Sequence, residues 1–145
     1  MHRHECDAEE IVGLARIYAA CASDLAAAVV GGGVARQAPA RFCAVHAVEL
    51  YLNAYLRHCG MPGAELRRMC HDQSARLMHA MARGLRLPNG TALHIIRMSE
   101  DRDYLRLRYE LSAAATLAPM TRIAATLRDV GAAAGAALAI PPPSA

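Results

Sequence analysis

Arg41-Phe42-Cys43-Ala44-Val45-His46-Ala47-Val48-Glu49-Leu50-Tyr51-Leu52-Asn53-Ala54-Tyr55-Leu56 reads as one helix, apolar except along a single stripe. At 100° per residue His46, Glu49 and Asn53 fall at i, i+3 and i+7, so a histidine, a carboxylate and an amide share one face. Polar groups on the apolar side of a helix need partners, and either the protein's own side chains or a ligand can supply them.

The chain has 145 residues, one domain's length, with enough surface to bury a conventional core. Hydrophobic residues make up 54%, mostly Ala and Leu, with one Phe and no Trp. That composition favours closely packed helices over a β-sandwich, and the expected fold class is all-α. All sixteen basic residues are arginine, which codon usage in a GC-rich genome explains economically. The net charge of +3 permits an anionic partner without requiring one.

The five cysteines form no CxxC pair and are expected as buried small hydrophobes in a reducing compartment, without a disulfide framework. Residues 1–6 lack the apolar core of a signal peptide, and the apolar run from Gly131 to Ile140 is too short to span a bilayer. A cytoplasmic protein with no membrane partner is the expectation. His2, His4 and Cys6 could hold a soft metal only adventitiously, so neither metal nor cofactor is expected.

Local signals divide the chain into about five antiparallel helices over residues 1–140, followed by a disordered Pro-rich tail at 141–145. Asp7 and Glu10 have capping-box spacing, and Ile11, Leu14, Ala15, Tyr18, Ala22, Leu25 and Val29 continue helically to about Val30. Pro39 suits the start of the opening helix and Gly60 its end. A short helix is expected from Ala64 to Met69, one capped by Asp72 up to Gly84, one capped by Thr91 that carries Glu100 to Asp103 on its far half, and a last one after Pro119. Small residues in Gly131-Ala132-Ala133-Ala134-Gly135 would let another helix approach closely.

In such a bundle His71 and Asp72 would face the stripe, His71 hydrogen-bonding Glu49 or His46. The resulting cluster of His46, Glu49, Asn53, His71 and Asp72 is either a satisfied polar core that sets helix register or a ligand site. It lacks HExxH and paired Glu-x-x-His motifs, so it is not read as a metal centre. From Arg57 to Arg108 ten arginines face five acids, which would make a basic surface if the arginines do not pair with neighbouring acids, as Asp103 could with Arg106. Arg106, Arg108 and Tyr109 are the candidate anion contacts, and Tyr104 and Tyr109 could stack on a base. His58, His79 and His94 are expected at the surface or in caps.

The phrase from Ala44 to Leu56, then Gly60, Cys70-His71-Asp72 with Leu77, and Tyr104-Leu105-Arg106-Leu107-Arg108-Tyr109, resembles the HEPN superfamily of small helical bundles over about residues 8–130. Bacterial members carry a His-x-x-Glu-Leu-x-Leu-Lys helix, a Gly-His-Asp-Leu helix start and a later Arg-Tyr. This chain has Asn53 in place of the lysine, Cys70 in place of the glycine and Gln73 in place of the leucine. The resemblance implies a non-catalytic nucleotide- or RNA-associated module, a homodimer through an Ala- and Gly-rich face, and a nucleotidyltransferase as partner in a toxin-antitoxin-type pair. Its alternative implication is a metal-independent dimeric ribonuclease with an Arg-x(4 to 6)-His motif, matched formally by Arg41 and His46. On one helix those two point about 140° apart, so they could cooperate only if the helix begins after Arg41. A structural interaction protein without ligand is the third reading.

Overall fold

Asp7 opens the first helix as the spacing predicts. Its side chain accepts from the Glu10 amide at 2.8 Å while the Glu10 carboxylate accepts from the Asp7 amide at 2.9 Å. In the computed structural model, which describes residues 5–139, eight α-helices follow in order. They are α1 (Ala8–Ala28), α2 (Ala38–His58), α3 (Gly63–Arg68), α4 (Gln73–Ala82), α5 (Asn89–Glu100), α6 (Asp103–Tyr109), α7 (Ala113–Thr116) and α8 (Met120–Leu138), with a 3-10 turn at Val34–Gln37 before α2. The class is all-α, and no strand occurs among the described residues. His2, His4 and the tail at 141–145 lie outside the described residues.

The count exceeds five because short helices replace presumed turns. Glu100 to Asp103 does not continue α5: the chain breaks at Arg102, which takes a left-handed conformation at φ 55°, and α6 starts anew at Asp103. Thr91 does not cap α5, since the helix begins at Asn89 behind Pro88 and the Thr91 hydroxyl instead donates to Asp129 across to α8. The Asp72 cap is present, its carboxylate taking the Ala75 amide at 2.9 Å.

Helix α2 is central. Ala44, Val45, Ala47, Val48, Leu52, Ala54 and Leu56 are buried around its whole circumference, the pattern of a helix enclosed by neighbours. Glu5 and Cys6 meet Arg57 and Tyr18 meets His46, so α1 runs antiparallel to α2. Helix α4 runs with α2, pairing Gln73 to Val45 and Arg76 to Asn53, and α5 runs against α8, pairing Thr91 to Asp129 and His94 to Thr126. Gly60 ends α2 at φ 93°, a conformation natural to glycine.

The small-residue segment of α8 is used inside the chain. A β-carbon at Gly131 would lie 3.1 Å from the Tyr51 ring of α2, so the missing side chain is what lets α8 close on α2. Among the described residues helix α1 alone is long and apolar enough to cross a membrane by length and composition, with a mean hydropathy of 1.4 over its most apolar stretch. It buries Val12, Ala15 and Ala22, whereas Leu14 and Leu25 of its helical repeat are exposed. The cysteines are not core residues: Cys6, Cys21 and Cys70 are exposed and Cys43 and Cys59 half-buried, all free.

Candidate functional site

Glu49 is the centre of the polar cluster. Its carboxylate, on a residue 6% exposed, takes a hydrogen bond from His71 Nδ1 at 3.1 Å, lies 3.5 Å from Arg76 Nη1, and has His46 Nδ1 at 3.6 Å. The last distance is too long for a hydrogen bond and leaves an electrostatic contact. Arg76 in turn donates through Nε to Asn53 Oδ1 at 2.6 Å and through its terminal nitrogens to the carbonyls of Leu66 and Asp72.

The expected convergence of His46, Glu49, Asn53 and His71 is therefore present. Asp72 stands apart: its carboxylate caps α4 and accepts from Ser99, and only its carbonyl reaches Arg76. Arg76, counted by sequence among surface arginines, is 3% exposed and is the cluster's own cation. Helical spacing carried the signal, because Gln73, Arg76, Leu77 and Ala80 fall on one stripe and all four are buried.

Burial by itself would push the Glu49 carboxyl up; the His46 ring beside it, the Arg76 guanidinium and His71 together outweigh this and hold it below the usual glutamate range. An ionised Glu49 fixes the proton of His71 on Nδ1 and leaves Nε2 as an acceptor in the neutral ring. Burial lowers the Arg76 value, with Glu49, Asp72 and Cys70 opposing it. Cys70, just before His71, sits at φ 48°, in the left-handed region that favours glycine.

A cavity of about 230 Å³ opens over this cluster. Tyr18 meets the His46 ring edge-on at 4.5 Å, Phe42 lies parallel to it at 6.4 Å, and Tyr104 covers His71 at 4.4 Å. Gln73 donates to the Val45 carbonyl and leaves Oε1 buried without a partner in the wall. Arg108 stands at the same cavity with its guanidinium 5.8 Å from the Phe42 ring and 5.7 Å from that of Tyr109, and has no acidic partner among the described residues. Tyr18 and Phe42 were not marked by sequence as walls, since they are close to this cluster only through the α1 and α2 packing.

The other expected contacts separate. Arg41 lies inside α2, 4% exposed, donating to the Ala118 carbonyl and to Gln37, so it does not meet His46. Arg106 is held by Glu110 at 3.0 Å and Thr116 at 2.7 Å, and pairs with Glu110 in place of Asp103. Tyr109 is 73% exposed beside Arg108. His94 is buried, not superficial, while His79 is exposed and His58 half-buried. Among the described residues no group of three or more His, Cys, Asp or Glu side chains is arranged to hold a metal ion.

No known protein family, curated protein or solved structure matches the chain. The site must therefore be read from its own chemistry. It offers three aromatic faces, two imidazoles, one ionised carboxylate, an unpaired amide oxygen and a cation at its edge.

Proposed function

We propose that the protein is a non-catalytic, nucleotide- or RNA-associated binding module of HEPN-like type whose cavity receives a nucleobase. The observation that carries this reading is the aromatic enclosure of Glu49 by Tyr18, Phe42 and Tyr104 with Arg108 beside it. Pockets for whole small-molecule ligands run to about 300–1,000 Å³. A cavity of about 230 Å³ suits one flat ring, leaving the phosphate outside within reach of Arg108. Base stacking on aromatic side chains contributes about 1–3 kcal/mol per base. The Glu49 carboxylate at the wall is an acceptor only, which favours a base bearing an exocyclic amino group over uracil.

Catalysis by Arg41 and His46 lacks support, because the Arg41 guanidinium is engaged away from the cavity. In the HEPN-like reading the protein partner to seek is a nucleotidyltransferase, with a second copy of the chain as the other assembly partner. Titration of the purified chain with GMP, AMP, CMP and UMP, followed by calorimetry and melting temperature, tests the base pocket. Amino-bearing bases are expected to bind, Tyr104→Ala to weaken them by about tenfold or more, and Arg108→Ala to flatten the dependence on salt. Absence of any melting shift with the four nucleotides and a short RNA would leave an interaction protein without ligand. RNA cleavage in EDTA that disappears in His46→Ala would establish the ribonuclease instead.

A further inference from the structure

Three buried side-chain atoms lack a hydrogen-bond partner among the described residues, and only Gln73 Oε1 belongs to the base cavity. The other two, Asp103 Oδ1 and Arg122 Nε, belong to residues that line a separate cavity of about 870 Å³ between α5, the start of α6 and the approach to α8. A buried donor or acceptor left unpaired is costly, and more so when it is charged. Two residues of one cavity wall thus each carry an unpaired buried atom, one on a guanidinium and one on a carboxylate.

Both groups are held in place with their local counterions occupied. Arg122 anchors Nη2 on the hydroxyls of Thr91 at 3.0 Å and Thr126 at 3.2 Å, while the nearby Asp129 carboxylate accepts from Thr91. Thr126 also lies 2.7 Å from His94 Nδ1. Burial, helped by Arg122, Arg97 and Arg41, brings the His94 value down to about 4, so the ring is neutral at pH 7. The Thr126 hydroxyl already accepts from Arg122 and can give its own proton to Nδ1, the tautomer that carries the ring proton on Nε2, and His94 lines the cavity. Around Asp103 the cations are spent elsewhere: Arg41 on Ala118 and Gln37, Arg106 on Glu110 and Thr116. Asp103 is itself 5% exposed. The remaining wall is mixed, with Leu93, Ile96, Met98 and Leu117 apolar and Arg97, Glu100, Asp101 and Thr116 polar or charged.

We propose that this cavity is a second binding site, for a small zwitterion of the free amino-acid class, with its carboxylate on Arg122 and His94 and its ammonium on Asp103. An apolar side chain on that ligand would lie against Ile96, Met98 and Leu117. The pairing leaves no net charge buried, and the volume falls in the range usual for small-molecule sites. This proposal is independent of the nucleobase reading, which uses a different cavity.

Calorimetric titration of the full chain with L-leucine and L-methionine, beside 4-methylpentanoate and isoamylamine as single-charge analogues, tests it. The amino acids are expected to bind, and each analogue to be weaker by about tenfold or more. Arg122→Gln is expected to abolish amino-acid binding. Asp103→Asn is expected to reduce leucine to the affinity of 4-methylpentanoate without changing that analogue, a readout that a merely structural role for Asp103 would not produce. Should Arg122→Gln fail to fold, Leu117→Trp, which fills the cavity from its apolar side, must still exclude leucine. Leucine and methionine giving no heat, binding no tighter than the analogues, or binding equally well to Asp103→Asn would each overturn the assignment. Equal stabilisation by inorganic phosphate would do the same by reducing the site to a general anion contact.

Discussion

Arg76 on α4 and Glu49 on α2 stand 3.5 Å apart with side chains 3% and 7% exposed, an ion pair sealed between two helices. Removing one partner of such a pair leaves an uncompensated buried charge, which costs about 3–5 kcal/mol. Arg76→Ala is expected to lose that much in urea denaturation, since Glu49 would keep only its two histidines. The double variant Glu49→Gln with Arg76→Met should be less destabilised than the sum of the single changes. Strict additivity would show that the pair is not the unit argued here.

Two buried groups beside the second cavity titrate in opposite senses. Burial, with Asp101 adding and Arg106 and Arg41 opposing, raises the Asp103 carboxyl to about 6, so from about pH 4 to 6 the folded state holds a proton that the unfolded chain has lost. Stability attributable to Asp103 therefore falls as pH rises through that window. His94, lowered to about 4, does the reverse: below its ordinary value of 6.5 the unfolded chain binds the extra proton, and stability falls as pH drops. The two slopes offset one another in the intact protein. Asp103→Asn is expected to be more stable than the parent at pH 7, by on the order of 2–3 kcal/mol, and to lose that advantage by pH 4. His94→Gln should show the opposite trend, with stability declining from pH 4 to 6. Denaturant midpoints across pH 4–7 for the three proteins provide the check, and parallel curves would refute it.

Gly131 and Gly135 occupy the same helix yet differ in what surrounds them. A β-carbon at Gly135 meets the Arg16 guanidinium at 3.6 Å, ordinary contact with a flexible group, while at Gly131 it meets the buried Tyr51 ring at 3.1 Å. Alanine is favoured over glycine inside a helix by about 1 kcal/mol. Gly135→Ala should therefore raise the melting temperature, and Gly131→Ala should fail to gain or should lower it. Equal gains at both positions would mean that Tyr51 yields freely.

Much of the helical framework was legible before any contact was known. Asp7 with Glu10, Pro39, Gly60 and Asp72 mark boundaries through interactions within a turn of their own helices, and all four fall where expected. The candidate site was half legible. The stripe of His46, Glu49 and Asn53 follows from helical period, and His71 reaches Glu49 as anticipated. Arg76 was missed because arginine on a short helix is ordinarily a surface residue, and nothing local announces the carboxylate that α2 presents to it. His94 was misplaced for the same reason, its burial depending on Thr126 of α8.

Spacing along single segments is enough to dictate the all-α class, the ends of the main helices and the polar face of α2, because each depends on neighbours within a few turns. That Arg41 turns to Ala118 while Arg76 turns inward to Glu49, and that Asp103 and Arg122 line one cavity, follows from contacts between helices. A charged side chain settles where the free energy of desolvation is offset by its partners. Those partners come from helices distant in the chain, so their identity exists only once the bundle has formed.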